Sequence, residues 1–75
     1  MRYRLRPSVL DAASEMTGAE TDDELAHELR RSVSTVRNWR SGRTAPDVAG
    51  LMQLVKLTGI PVGEMLSETA ETAAA

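Results

Sequence analysis

The chain has 75 residues, 41% of them hydrophobic, with no cysteine and a formal net charge of −2, which suits one domain near the lower limit at which a single apolar core suffices. Lacking cysteine, it has neither a disulfide framework nor a thiolate metal site, and the lone His27 with scattered carboxylates gives no metal-ligand cluster. No run approaches the ~20 apolar residues of a membrane span, and the arginine-rich start is not followed by an apolar segment; the expectation is a soluble, cytoplasmic protein without membrane, metal, cofactor or small-molecule ligand.

The opening segment MRYRLRP alternates, with Arg2, Arg4 and Arg6 on one side and Tyr3 and Leu5 on the other. Pro7 and Ser8 start a first helix, Pro7 by its fixed φ and Ser8 as a cap, with Val9, Ala13 and Met16 on one face and Gly18 as the stop. Thr21 and Glu24 form a capping box for a second helix, Asp22 and Asp23 complement its positive end, and Leu25, Ala26 and Leu29 make its stripe. Ser32 caps a third helix through Val36 and Trp39 to Gly42. After the linker RTAP, Asp47 caps a fourth, through Val48, Leu51, Leu54 and Val55 to Gly59. A fifth covers about 62 to 68, offering Met65 and Leu66, and the alanine-rich end is a frayed tail.

Charge is segregated along this chain. Residues 30 to 43 hold five arginines and no carboxylate, a local +5 against −7 for the remainder, which is an electrostatic face for a polyanion, nucleic acid being the usual one. Only Tyr3 and Trp39 are aromatic, so stacking on unpaired bases has little material. About three residues separate the second and third helices, which is helix-turn-helix spacing. With Val36 and Trp39 turned inward, Val33, Ser34, Arg37 and Asn38 point outward, and Ser32 stands at the helix start. Arg37 suits a bidentate contact to guanine, Asn38 a pair with adenine and Val33 a thymine methyl, while Ser32 and Ser34 can bond base or phosphate. Arg40, Ser41 and Arg43 stand where backbone phosphates are met.

The stretch TDDELAHELRRSVSTVRNWRSGRTAP resembles the helix-turn-helix of the Cro and CI phage repressors and their XRE-type relatives. The resemblance is carried by Thr21, Glu24, Leu25, Ala26, Leu29, Ser32, Ser34, Thr35, Val36, Trp39, Gly42 and Pro46, within about residues 8 to 66. It implies an all-α protein: a compact five-helix bundle with a helix-turn-helix, like the lambda-repressor DNA-binding domain, with a short N-terminal arm or strand in front. It implies as well a sequence-specific double-stranded DNA-binding transcriptional regulator. Such a protein acts as a repressor occupying an operator, with the helix at 32 to 41 in the major groove, usually as a homodimer, in the cytoplasm at the nucleoid, and is common in phages and prophages. Arg30 replaces the family's turn glycine, so the turn either places a non-glycine residue at positive φ or takes another shape. Arg31 replaces an apolar residue; its stem would cover the core edge while its guanidinium snorkels to the DNA backbone. Asp22 stands where a phosphate-binding glutamine is common, so that contact is not carried over.

The divisions expected are an arm at 1–7, the DNA-binding domain at 8–67 and a flexible tail at 68–75. The arm has three readings: a flexible basic arm of Arg2, Arg4 and Arg6 entering the minor groove, a short strand pairing with its mate in a dimer, or a solvated chain end. Met52 and Leu57 widen the stripe of the fourth helix, and are either core filling or a dimer surface with Ile60, Pro61, Val62 and Met65. Trp39 reads as core and His27 as solvated; Asp22, Asp23 and Glu24 read as helix-start acids rather than acid–base pairs. Two other functions fit less of the pattern: an antitoxin-like protein-interaction module and an excision-type architectural DNA binder. An enzyme lacks a nucleophile, metal cluster or phosphate loop to build on.

Overall fold

In the computed structural model, which describes residues 3–68, the elements run β1 (Tyr3–Leu5), α1 (Pro7–Thr17), α2 (Asp22–Leu29), α3 (Val33–Ser41), α4 (Val48–Thr58), α5 (Val62–Met65) and β2 (Leu66–Glu68). Arg2 and residues 69–75, with most of the expected tail, lie outside the described residues.

Local chemistry sets most of the helix ends. The Thr21 hydroxyl accepts the Glu24 N–H at 3.1 Å, and the Glu24 carboxylate reaches back to the Glu20 N–H at 2.7 Å, one residue earlier than an ordinary capping box. Ser32 accepts the Thr35 N–H at 3.2 Å, and Asp47 accepts the Gly50 N–H at 2.7 Å, each satisfying a donor the helix cannot pair internally. Ser8 does not cap: Pro7 is already helical, and Arg6 precedes the helix without a side-chain cap. Between α2 and α3 the left-handed position is filled by Arg30, at φ 58°. Its N–H bonds to the His27 carbonyl at 3.1 Å and the Arg31 N–H to that of Ala26 at 2.9 Å, the paired closure usually built on glycine.

The core gathers Val9, Leu10 and Ala13 from α1, Leu25, Ala26 and Leu29 from α2, and Val36 and Trp39 from α3, none more than 3% exposed. Leu54, Met65 and Leu5 close it from α4, α5 and β1. Met16, expected inside, is 66% exposed. With about 3.6 residues per turn, the stripe set by Val9, Leu10 and Ala13 continues at Thr17, so Met16 falls off its edge.

The C-terminal part departs further from the helical expectation. α5 ends at Met65, and β2 pairs antiparallel with β1 in the register Tyr3↔Glu68, Arg4↔Ser67 and Leu5↔Leu66. The Arg6 N–H adds a bond to the Met65 carbonyl at 2.8 Å. The strand partner of residues 3–5 thus lies within the chain, and residues 66–68, expected in the fifth helix, form that partner instead. The molecule is mostly helical, with one small two-stranded sheet among the described residues.

Candidate nucleic-acid interface

The outer face of α3 is defined by what its inner face buries. Val36 and Trp39 are inside, which leaves Ser34, Arg37 and Ser41 exposed and Asn38 half-buried. Trp39 fixes the helix against its neighbours. The Arg31 guanidinium lies 5.5 Å from its ring centroid, a cation–π arrangement. Gly50 opens α4 to the same ring: a Cβ there would stand 3.0 Å from Trp39 Cη2.

Two arginines expected on the DNA backbone are committed within the fold. Arg31 donates to both oxygens of Asp47, at 3.3 and 3.1 Å, instead of snorkelling outward. The aromatic face and the carboxylate together hold a planar fork that water would otherwise solvate. The hydrogen bond from Arg31, and then that from the Gly50 amide, hold the Asp47 carboxyl below its ordinary pKa. Arg40 donates through Nε and Nη2 to Asp22, at 3.0 Å for the closest contact, and through Nη1 to Asp11 at 3.0 Å. Burial opposes its charge, but these two carboxylates outweigh that and raise its pKa. The acid that would have repelled a phosphate at the start of α2 is thus matched by the arginine that would have met one.

Arg37 is exposed and its side chain makes no hydrogen bond or ion pair among the described residues; Arg30 and Arg43 are also exposed. Ser34 is exposed, and Ser32, though exposed, uses its hydroxyl on Thr35. Val33 is half-buried and packs against the core, which limits its reach to a thymine methyl. The Ser41 hydroxyl donates to the Asn38 carbonyl at 3.2 Å. Of the supposed arm, Arg6 is exposed, whereas Arg4 is half-buried and donates from Nη2 to the Arg40 carbonyl at 2.7 Å; a residue anchored in a strand and bonded to a helix end is no free arm.

The supposed dimer surface also divides. Met65 is fully buried and belongs to the core, and Leu57 and Ile60 pack partly against it. Pro61 is exposed, Val62 is half-buried and Met52 is 49% exposed, with Val48 one turn earlier at 76%. The four-residue spacing of Val48 and Met52 is the signal that would have grouped them. Sequence reasoning also missed Gln53, whose Nε2 donates to the Leu29 carbonyl at 3.0 Å and ties α4 to the turn before α3.

A shallow cavity of about 330 Å³ beside α2 is lined by Gly18, Asp23, Glu24, His27 and Glu28, an acidic setting unsuited to a phosphate. Among the described residues, no group of three or more metal-ligating side chains is placed to hold an ion, and no helix is long and apolar enough to cross a membrane. Comparison with protein-family models, curated proteins and solved structures finds no match to this chain.

Proposed function

We propose that this chain is a sequence-specific double-stranded DNA-binding regulator in which α2, the turn at Arg30 and α3 act as a helix-turn-helix. The observation that carries the reading is the outer face of α3. Ser34 and Arg37 are exposed beside a half-buried Asn38, in a segment without a carboxylate, on a helix pinned from behind by Val36 and Trp39. Rigid backing is what base recognition needs, because a hydrogen bond discriminates only if its donor is held in place. Arg37 reads guanine, Asn38 reads adenine, and Ser34 bonds an adjacent base or phosphate. Arg30, Ser41 and Arg43 meet phosphates on either side, and the α3 amide end adds to that attraction. Arg31 and Arg40 support the helix and do not touch DNA.

Two copies bind adjacent half-sites, and occupancy of an operator blocks transcription. Selection from random duplexes followed by sequencing tests this: enrichment of two related half-sites centred about 10 base pairs apart supports it. A selection that enriches no motif removes specific readout and with it the proposed role.

A further inference from the structure

Arg4 stands outside the α2–α3 unit, yet its side chain reaches the far end of α3. Nη2 donates to the Arg40 carbonyl at 2.7 Å, in the last turn, where helix carbonyls lack internal partners and carry the negative end of the dipole. The guanidinium covers Gly42, the left-handed residue that ends the helix. A Cβ there would stand 2.9 Å from Arg4 Cζ and 3.0 Å from Nη1, so that glycine admits the arginine as well as the turn. No carboxylate forms an ion pair with Arg4 among the described residues. Its place is set by pairing with Ser67 across the two strands and by the neighbouring Leu5, which is fully buried.

We infer that Arg4 is a positioning residue for base readout, through which the terminal strand pair holds the end of α3; this rests on the DNA-binding reading. Arg37 and Asn38 lie within a turn of the carbonyl it caps. Holding that turn closed fixes the direction in which both side chains leave the helix. Base-edge bonds depend on that direction, whereas attraction to phosphates depends mainly on charge. Arg4 therefore contributes to the difference between matched and unmatched DNA more than to binding itself.

The test compares wild type with Arg4→Met, which keeps the stem without donors, and Arg4→Lys, which restores one donor and the charge. Amide hydrogen exchange at residues 40 to 43 of the DNA-free protein is measured first, then affinity for a selected and an unrelated duplex across a salt series. Arg4→Met is expected to speed exchange at the α3 end severalfold. It should weaken the selected duplex about tenfold, the scale of one lost base contact, and leave unrelated DNA and the salt slope unchanged, with partial recovery in Arg4→Lys. Should Arg4→Met fail to fold, Arg4→Leu, likewise without donors, carries the same comparison. Unchanged exchange overturns the proposal whatever the DNA result. Equal weakening on both duplexes, with the log–log salt slope reduced by about 0.9, makes Arg4 a phosphate contact and also overturns it. A wild-type protein that binds neither duplex refutes the DNA-binding reading itself, a distinct outcome.

Discussion

Removing the Arg40 guanidinium should destabilise the fold without removing a phosphate contact. Its side chain is 33% exposed and that of Asp22 23% exposed, with the closest approach at 3.0 Å. Fully exposed pairs contribute about 0.2–1 kcal/mol, and breaking a buried pair costs about 3–5 kcal/mol. The intermediate exposure places Arg40→Ala at about 1.5 kcal/mol, to which Asp11, 68% exposed, adds little. For a domain of this size such a loss lowers Tm by roughly 6–12 °C. Thermal unfolding followed by circular dichroism, for Arg40→Ala, Asp22→Asn and the double variant, separates the pair from the helix-dipole effect of Asp22. The expected coupling is about 1 kcal/mol, weakening in molar salt. Additivity of the two changes to within about 0.3 kcal/mol would refute the assignment of Arg40 as a clasp of α1, α2 and α3. A DNA salt slope lowered by about 0.9 in Arg40→Ala would return Arg40 to the backbone.

Arg37→Ala should relax preference at one base pair and cost about 1–3 kcal/mol in the selected complex; equal loss on all duplexes, read by competition binding, would assign it to a phosphate. Arg30→Gly should relieve the left-handed strain and stabilise folding by about 0.5–1 kcal/mol, while lowering the salt slope by about 0.9; denaturant midpoints and a salt titration read the two effects. Because Asp47 has its pKa lowered, its contribution is intact above the ordinary value of 3.8 and disappears as pH falls through the lowered one. Asp47→Asn keeps a capping oxygen but loses the Arg31 ion pair, so its acid unfolding should be less steep, and identical acid transitions would contradict the assignment.

What the sequence made legible was local. Thr21, Ser32 and Asp47 act within three residues of themselves, and the positive φ at Arg30 was one of two outcomes that a missing turn glycine allowed. Val36 and Trp39 followed from helical spacing, and with them the outward position of Arg37. The strand pair was not legible, because Leu66, Ser67 and Glu68 carry no alternation of their own and gain strand geometry only from residues 3–5. The fates of Arg31 and Arg40 were hidden for a related reason: their carboxylates lie 16 and 18 residues away in sequence for Asp47 and Asp22. A count of arginines states how much charge a segment holds, while tertiary pairing decides how much of it faces outward.

The strand register has a topological consequence. Because Tyr3 and Glu68 are partners across an antiparallel pair, the described chain enters and leaves the domain side by side. A domain with such neighbouring ends can be spliced into a surface loop of another protein without stretching either host or guest. Its two ends can equally be joined by a short peptide and new ones opened in the exposed stretch 43–45. That rearrangement would keep the strand pair intact while cutting the direct connection from α3 to α4.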